Sequence, residues 1–250
     1  MLIPLVWLIL TLIPLILLNR WLSRHIQGVG LLLTDNPNLA VVLYFLIMLP
    51  GIVVHELSHW TMARLLGMKT GKIRLGPTRA AGGKIRLGSV SVSKADPLRE
   101  SLVGLAPLLA GVGLVLLIGA LIFDLQVLGE AFILRDVGRF FHQLVRSIRT
   151  PDFWIWFYAI FTISNAMLPS ESDRRAWIPL GIFLGVTTLV VVLVGWTPTI
   201  PPAWVDVVTG AIEYLITAFL LTLLVDLIFV GFIAGIETLL SLALGRRINY

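Results

Sequence analysis

Residues 39–66 read LAVVLYFLIMLPGIVVHELSHWTMARLL, an apolar run long enough to cross the roughly 30 Å of bilayer hydrocarbon as one helix. Within it, His55-Glu56-Leu57-Ser58-His59 places three ionisable groups where hydrocarbon penalises each of them, and such residues mark sites of function. Residues four apart on a helix lie on one face, so His55 and His59 can reach one ion, and Glu56 projects toward the same region. Two nitrogen ligands, a third ligand elsewhere and one position left for water are what zinc-dependent hydrolysis requires. Zinc lowers the pKa of water from about 15.7 toward about 7, and a nearby carboxylate can take a proton and return it to a leaving amine. One turn earlier, Pro50-Gly51 can kink the helix and admit water.

The rest of the chain extends this picture. Of its 250 residues 58% are hydrophobic and 13% charged, too apolar for a soluble domain, so the lipid bilayer is its solvent. Cysteine is absent, which excludes disulfides and thiolate metal sites and leaves His, Asp and Glu as ligands. The net charge of +5 does not point to nucleic acid, because Lys and Arg sit mostly between apolar segments. Six segments approach or exceed a span: residues 2–18, 39–66, 101–123, 153–168, 177–196 and 207–244, with Gly231 and Gly235 as candidate breaks in the last. The first lacks a basic leader and a small-residue cleavage site and reads as a retained helix. Tryptophans 21, 154, 156, 177, 196 and 204 fall at segment ends, as interface anchors do. With the N-terminus cytoplasmic, twelve basic residues of the connections face inward and six outward, which favours that orientation.

Two connections have their own character. Lys72-Ile73-Arg74-Leu75-Gly76 recurs as Lys84-Ile85-Arg86-Leu87-Gly88, with Gly82-Gly83 between, and predicts a β-hairpin over 72–93. It either caps the helices or offers an edge strand to an extended substrate. Over 131–148, Ile133, Val137, Phe140, Phe141, Leu144 and Ile148 share one helical face, with Arg135, Arg139 and Arg146 away from it. This is the pattern of an interfacial amphipathic helix or of a linker helix packed on the membrane domain.

Taken with its neighbours, the His55–His59 motif resembles that of the site-2 proteases, intramembrane zinc metalloproteases with a three-helix core. Leu66-Gly67 looks like the family's glycine-rich connection and Gly104-Leu105-Ala106-Pro107 like a variant of its Ala-Gly-Pro signature. Asn165, Pro169 and Asp173 stand in the order of its second motif. The resemblance implies zinc held by His55, His59 and Asp173, Glu56 as general base, and Asn165 as a binder of substrate backbone or oxyanion. Pro169 is one residue further from Asn165 than in the family, and Arg174-Arg175 stand where it has glycine, so Glu171 is an alternative third ligand. Topology supplies an independent argument: the ends of the second and fourth segments are two crossings apart and emerge on one side, the cytoplasmic side by the charge count.

The expected fold is therefore an all-α polytopic membrane protein of about six transmembrane helices, with a small β-hairpin after the HExxH helix. Residues 1–38 form an N-terminal helix and loop. Residues 39–176 form the metalloprotease core, with helices 39–66, 101–123 and 153–168, hairpin 72–93 and interfacial helix 131–148. Residues 177–250 form C-terminal helices. The expected function is intramembrane endopeptidase in a cell membrane, most simply a prokaryotic one, using Zn2+ and acting on a transmembrane protein substrate toward the cytoplasmic side. The alternatives are a catalytically silent protein that binds metal or a partner on the same scaffold, against which Glu56 argues, and a metal transporter, which would spread ionisable groups along several helices. Asp226, inside the last apolar segment, either marks a site or pairs with a neighbouring helix.

Overall fold

The computed structural model describes residues 2–79, 85–124, 127, 136–195 and 201–248. Helix α1 (Leu2–Thr34) leads to α2 (Pro37–Leu65), strands β1 (Thr70–Arg79) and β2 (Ile85–Val92), then α3 (Pro97–Ile118), α4 (Val137–Ile148), α5 (Phe153–Met167), α6 (Glu171–Leu193) and α7 (Pro202–Leu244). Five of these, α1, α2, α3 with its π-helical continuation Gly119–Phe123, α6 and α7, are long and apolar enough to cross a membrane. They carry large apolar side chains on their outer faces, such as Leu46, Leu121, Phe183 and Leu227, as a chain immersed in lipid does. Helix α5 has 15 residues and reaches about 22 Å at 1.5 Å per residue, short of a full crossing.

Local chemistry fixes several helix starts. Asn36 accepts from the backbone of Asn38 and Leu39 with Pro37 in the first turn of α2, and Asp96 accepts from Arg99 with Pro97 in the first turn of α3. Helix α4 begins at Asp136, which caps Arg139; residues 131–135 of the expected amphipathic helix lie outside the described residues.

Some boundaries differ from expectation. Helix α1 does not stop at residue 18, because the polar residues that follow are matched by partners on other helices. Asn19 bonds Asn165, His25 pairs with Glu237 at 2.5 Å, and Trp21 stacks on His25. Helix α2 runs through Pro50 and α7 runs unbroken for 43 residues through Gly231 and Gly235. A helical glycine costs only about 1 kcal/mol, less than opening backbone hydrogen bonds away from water.

Helices α2 and α5 run parallel in a constant register. The Tyr158 hydroxyl donates to the Ile47 carbonyl, Gly51 lies on the Thr162 backbone, and His55 bonds the Ala166 carbonyl. These contacts are spaced four residues apart on each helix and so share one face. Any Cβ at position 51 would overlap the Thr162 carbonyl, so glycine sets how closely the two axes approach. Helix α3 runs the other way: Gly111 faces Met167, Gly104 faces Asp173, and Ser101 exchanges hydrogen bonds with Ala176 and Trp177. The chain therefore continues along α3 from α5 into α6 without reversing, and 171–176, expected as part of a loop, form the first turns of α6. Phe161 and Phe229 stack at 3.7 Å to join α5 to α7 in the main apolar core.

Strands β1 and β2 pair antiparallel, with Thr70 opposite Val92, Arg74 opposite Ser89 and Leu75 opposite Gly88. The hairpin expected after α2 is present; its tip, including Gly82-Gly83, lies outside the described residues.

Candidate metal centre

The last third of α2 presents His55, Glu56 and His59. His55 Nδ1 is 2.7 Å from the Ala166 carbonyl of α5 and His59 Nδ1 is 2.8 Å from the Val103 carbonyl of α3. A carbonyl only accepts, so each Nδ1 carries the proton and each neutral ring keeps its lone pair on Nε2. The two Nε2 atoms are 3.1 Å apart.

Asp173 meets them from the start of α6. Ser170 caps that helix: its hydroxyl accepts from the Asp173 backbone N–H at 3.3 Å, and its own backbone N–H donates to Asp173 Oδ2 at 2.7 Å. This reciprocal box holds one carboxylate oxygen and turns the other toward the imidazoles. Asp173 Oδ1 lies 3.2 Å from His59 Nε2, and Oδ2 lies 3.7 Å from His55 Nε2.

Three acceptor atoms on three different residues thus converge, and their spacing suits a metal. Tetrahedral zinc with bonds of about 2.05 Å keeps its ligand atoms about 3.3 Å apart; here the two Nε2 atoms are 3.1 Å apart, Asp173 Oδ1 is 3.2 Å from that of His59, and one ligand atom from each of the three residues lies within 4.8 Å of the others. Among the described residues, His55, His59 and Asp173 form the group whose geometry could hold a metal ion, and Glu171 is not part of it.

Glu56 is buried beside this group. Strand β2 comes so close that a Cβ at Gly88 would stand 2.6 Å from Glu56 Oε1. A cavity of about 910 Å3 is bounded by His55, Glu56, His59 and Asp173 together with β2 residues from Ile85 to Val90.

Asn165 also reaches the cavity wall, but its side chain is already engaged. Its amide group donates to the Phe161 carbonyl at 2.9 Å and to Asp226 Oδ1 at 2.7 Å, and its Oδ1 accepts from Asn19 at 3.0 Å. It offers the cavity no uncommitted donor in this conformation. Asp226, flagged by its place in an apolar segment, pairs with a neighbouring helix through this bond.

Sequence reasoning missed the Ala166 and Val103 carbonyls, the Gly88 contact and Asn19. Only the last two left a signal: a glycine closing the second Lys-Ile-Arg-Leu-Gly copy, and an asparagine inside what is one continuous helix. No family model matches this chain, and neither does any curated protein or solved structure.

Proposed function

We propose that the protein is a membrane-embedded zinc endopeptidase, similar to the site-2 proteases, that hydrolyses peptide bonds of membrane-protein substrates. The observation that carries the proposal is the meeting of His55, His59 and Asp173 beside buried Glu56 at the wall of one cavity. Three protein ligands leave a tetrahedral ion one further position, the arrangement of catalytic rather than structural zinc. When bound, zinc supplies Lewis acidity that lowers the pKa of water and polarises a carbonyl.

The chain's own residues do the rest. Glu56 takes a proton from the attacking water and returns one to the departing amine. The Ala166 and Val103 carbonyls fix the imidazole tautomers, and the Ser170 box orients Asp173. A helical substrate hides its carbonyls in internal hydrogen bonds, so it must open locally. Strand β2 pairs with β1 and lines the cavity, which suits it to receive an opened chain as an added strand. Eight basic residues in the connection that carries the hairpin, residues 67–100, support a reading with this side of the protein at the cytoplasmic face of a cell membrane.

The test incubates the purified protein with a helical transmembrane substrate, with zinc, with chelator, and as the Glu56→Gln variant. Cleavage is expected to stop with chelator and return with zinc. Glu56→Gln is expected to keep stoichiometric zinc and lose cleavage by roughly 100-fold or more. A Glu56→Gln protein that cleaves at the wild-type rate overturns the mechanism.

A further inference from the structure

The most unusual group outside the metal cluster is Asp226, midway along α7. It is fully buried, one carboxylate oxygen accepts from Asn165 at 2.7 Å, and the other, Oδ2, has no hydrogen-bond partner. The unmatched oxygen of a buried carboxyl carries a desolvation cost that an apolar side chain would avoid. Packing therefore gives no reason for it, and its one bond must account for its presence.

That bond leads toward the metal centre. Asn165 is gripped from two sides: Asp226 takes one amide hydrogen, while Asn19 of α1 donates to both the Asn165 carbonyl and its Oδ1, at 2.9 and 3.0 Å. These three residues fix the last turn of α5. The next residue in that turn, Ala166, provides the carbonyl that holds His55 Nδ1. We infer that Asp226, with Asn19, is a positioning residue of the metal centre: it acts through Asn165 and the Ala166 carbonyl to orient His55, without touching the ion. The inference rests on the metal-site reading above and deepens it, since it assigns the support of one ligand to the first and last helices of the chain. Groups that orient a metal-bound imidazole typically change metal affinity by roughly 10- to 100-fold when lost.

The ligand field of the bound ion should then change when the clamp is lost and return with a conservative replacement, which a merely structural role does not produce. Asp226→Leu removes the unmatched oxygen together with the clamp, whereas Asp226→Asn keeps an acceptor facing Asn165. Full-length apoprotein is purified in detergent and titrated with Co2+, whose visible absorption reports its ligands; zinc affinity follows by competition and the thermal midpoint is recorded without metal. Asp226→Leu is expected to bind Co2+ and Zn2+ roughly 10- to 100-fold more weakly, with an altered Co2+ spectrum and an apoprotein that still unfolds in a cooperative transition. Asp226→Asn is expected to match wild type in affinity and spectrum.

A loss below about three-fold in Asp226→Leu, an equal loss in Asp226→Asn, or an unaltered Co2+ spectrum in Asp226→Leu overturns the inference. If Asp226→Leu does not fold, Asn19→Ala decides: a loss of about three-fold or more supports the clamp, and a smaller one refutes it. Wild-type protein that takes up neither ion refutes the metal site itself, which separates that failure from failure of the clamp.

Discussion

Replacing Gly88 by alanine puts one methyl group where Glu56 now lies. The added carbon would stand 2.6 Å from Oε1, 2.7 Å from Cγ and 2.9 Å from Cδ, whereas ordinary contact begins near 3.4 Å. Relief therefore needs a movement of 3.4 − 2.6, or about 0.8 Å. The backbone at Gly88 is not among the positive-φ positions, so alanine fits the strand, which is tied to β1 through the pairing of Leu75 with Gly88. The flexible carboxylate end yields first. Displacing a reacting group by about 1 Å costs up to 100-fold in rate, so Gly88→Ala is expected to cut cleavage by roughly 30- to 100-fold while His55, His59 and Asp173 keep their zinc. Gly113→Ala is the control, since a Cβ there meets nothing within 4 Å. Cleavage rate, zinc content and thermal midpoint are measured on all three proteins. If Gly88→Ala holds full zinc and cleaves within about three-fold of wild type, Glu56 is not the base or β2 does not press on it during turnover.

Two further substitutions test the ligands and the packing that places them. Asp173→Ala should lower bound zinc severely and abolish cleavage, while Glu171→Ala, two residues away, should leave zinc stoichiometry near normal; metal analysis of purified protein decides between the two carboxylates. Gly51→Val forces a side chain into the Thr162 backbone and should cost about 1–3 kcal/mol or more of stability, with a fall in zinc affinity, read from the thermal midpoint and metal competition.

The residues that announced themselves were those whose type conflicts with their surroundings. His55, Glu56 and His59 stand out in an apolar helix, and Asp173 and Asn165 stood out through their resemblance to a known family motif. Helix ends were harder to read. Residue 18 looked like the end of α1 because Asn19, Arg20 and His25 follow, yet two of those three bond to distant helices, and a polar residue with a partner does not end a helix. The path after Pro169 was also misjudged, since an apolar segment following a short polar stretch reads as a return crossing. The contacts of Gly104 and Ser101 instead carry α6 onward along α3. Backbone acceptors such as the Ala166 and Val103 carbonyls exist at every residue, so composition and spacing cannot single them out.

The candidate metal centre consequently depends on helix register as much as on its motif. His55 Nδ1 finds its carbonyl only because α2 and α5 stay in step through Ile47 with Tyr158 and Gly51 with Thr162. A slip of one residue would move the Ala166 carbonyl about 1.5 Å along the axis and about 100° around it, breaking a 2.7 Å bond and releasing the tautomer. His59 is placed by the Val103 carbonyl of α3, and α6 brings Asp173 beside it only because residue 104 has no side chain to strike the Asp173 carbonyl. A five-residue pattern on one helix can be written by chance into many chains. What distinguishes this one is that two glycines far from each other in sequence, Gly51 and Gly104, let α5 bring a carbonyl to His55 and let α6 lie close enough to α3 for Asp173 to meet the histidines.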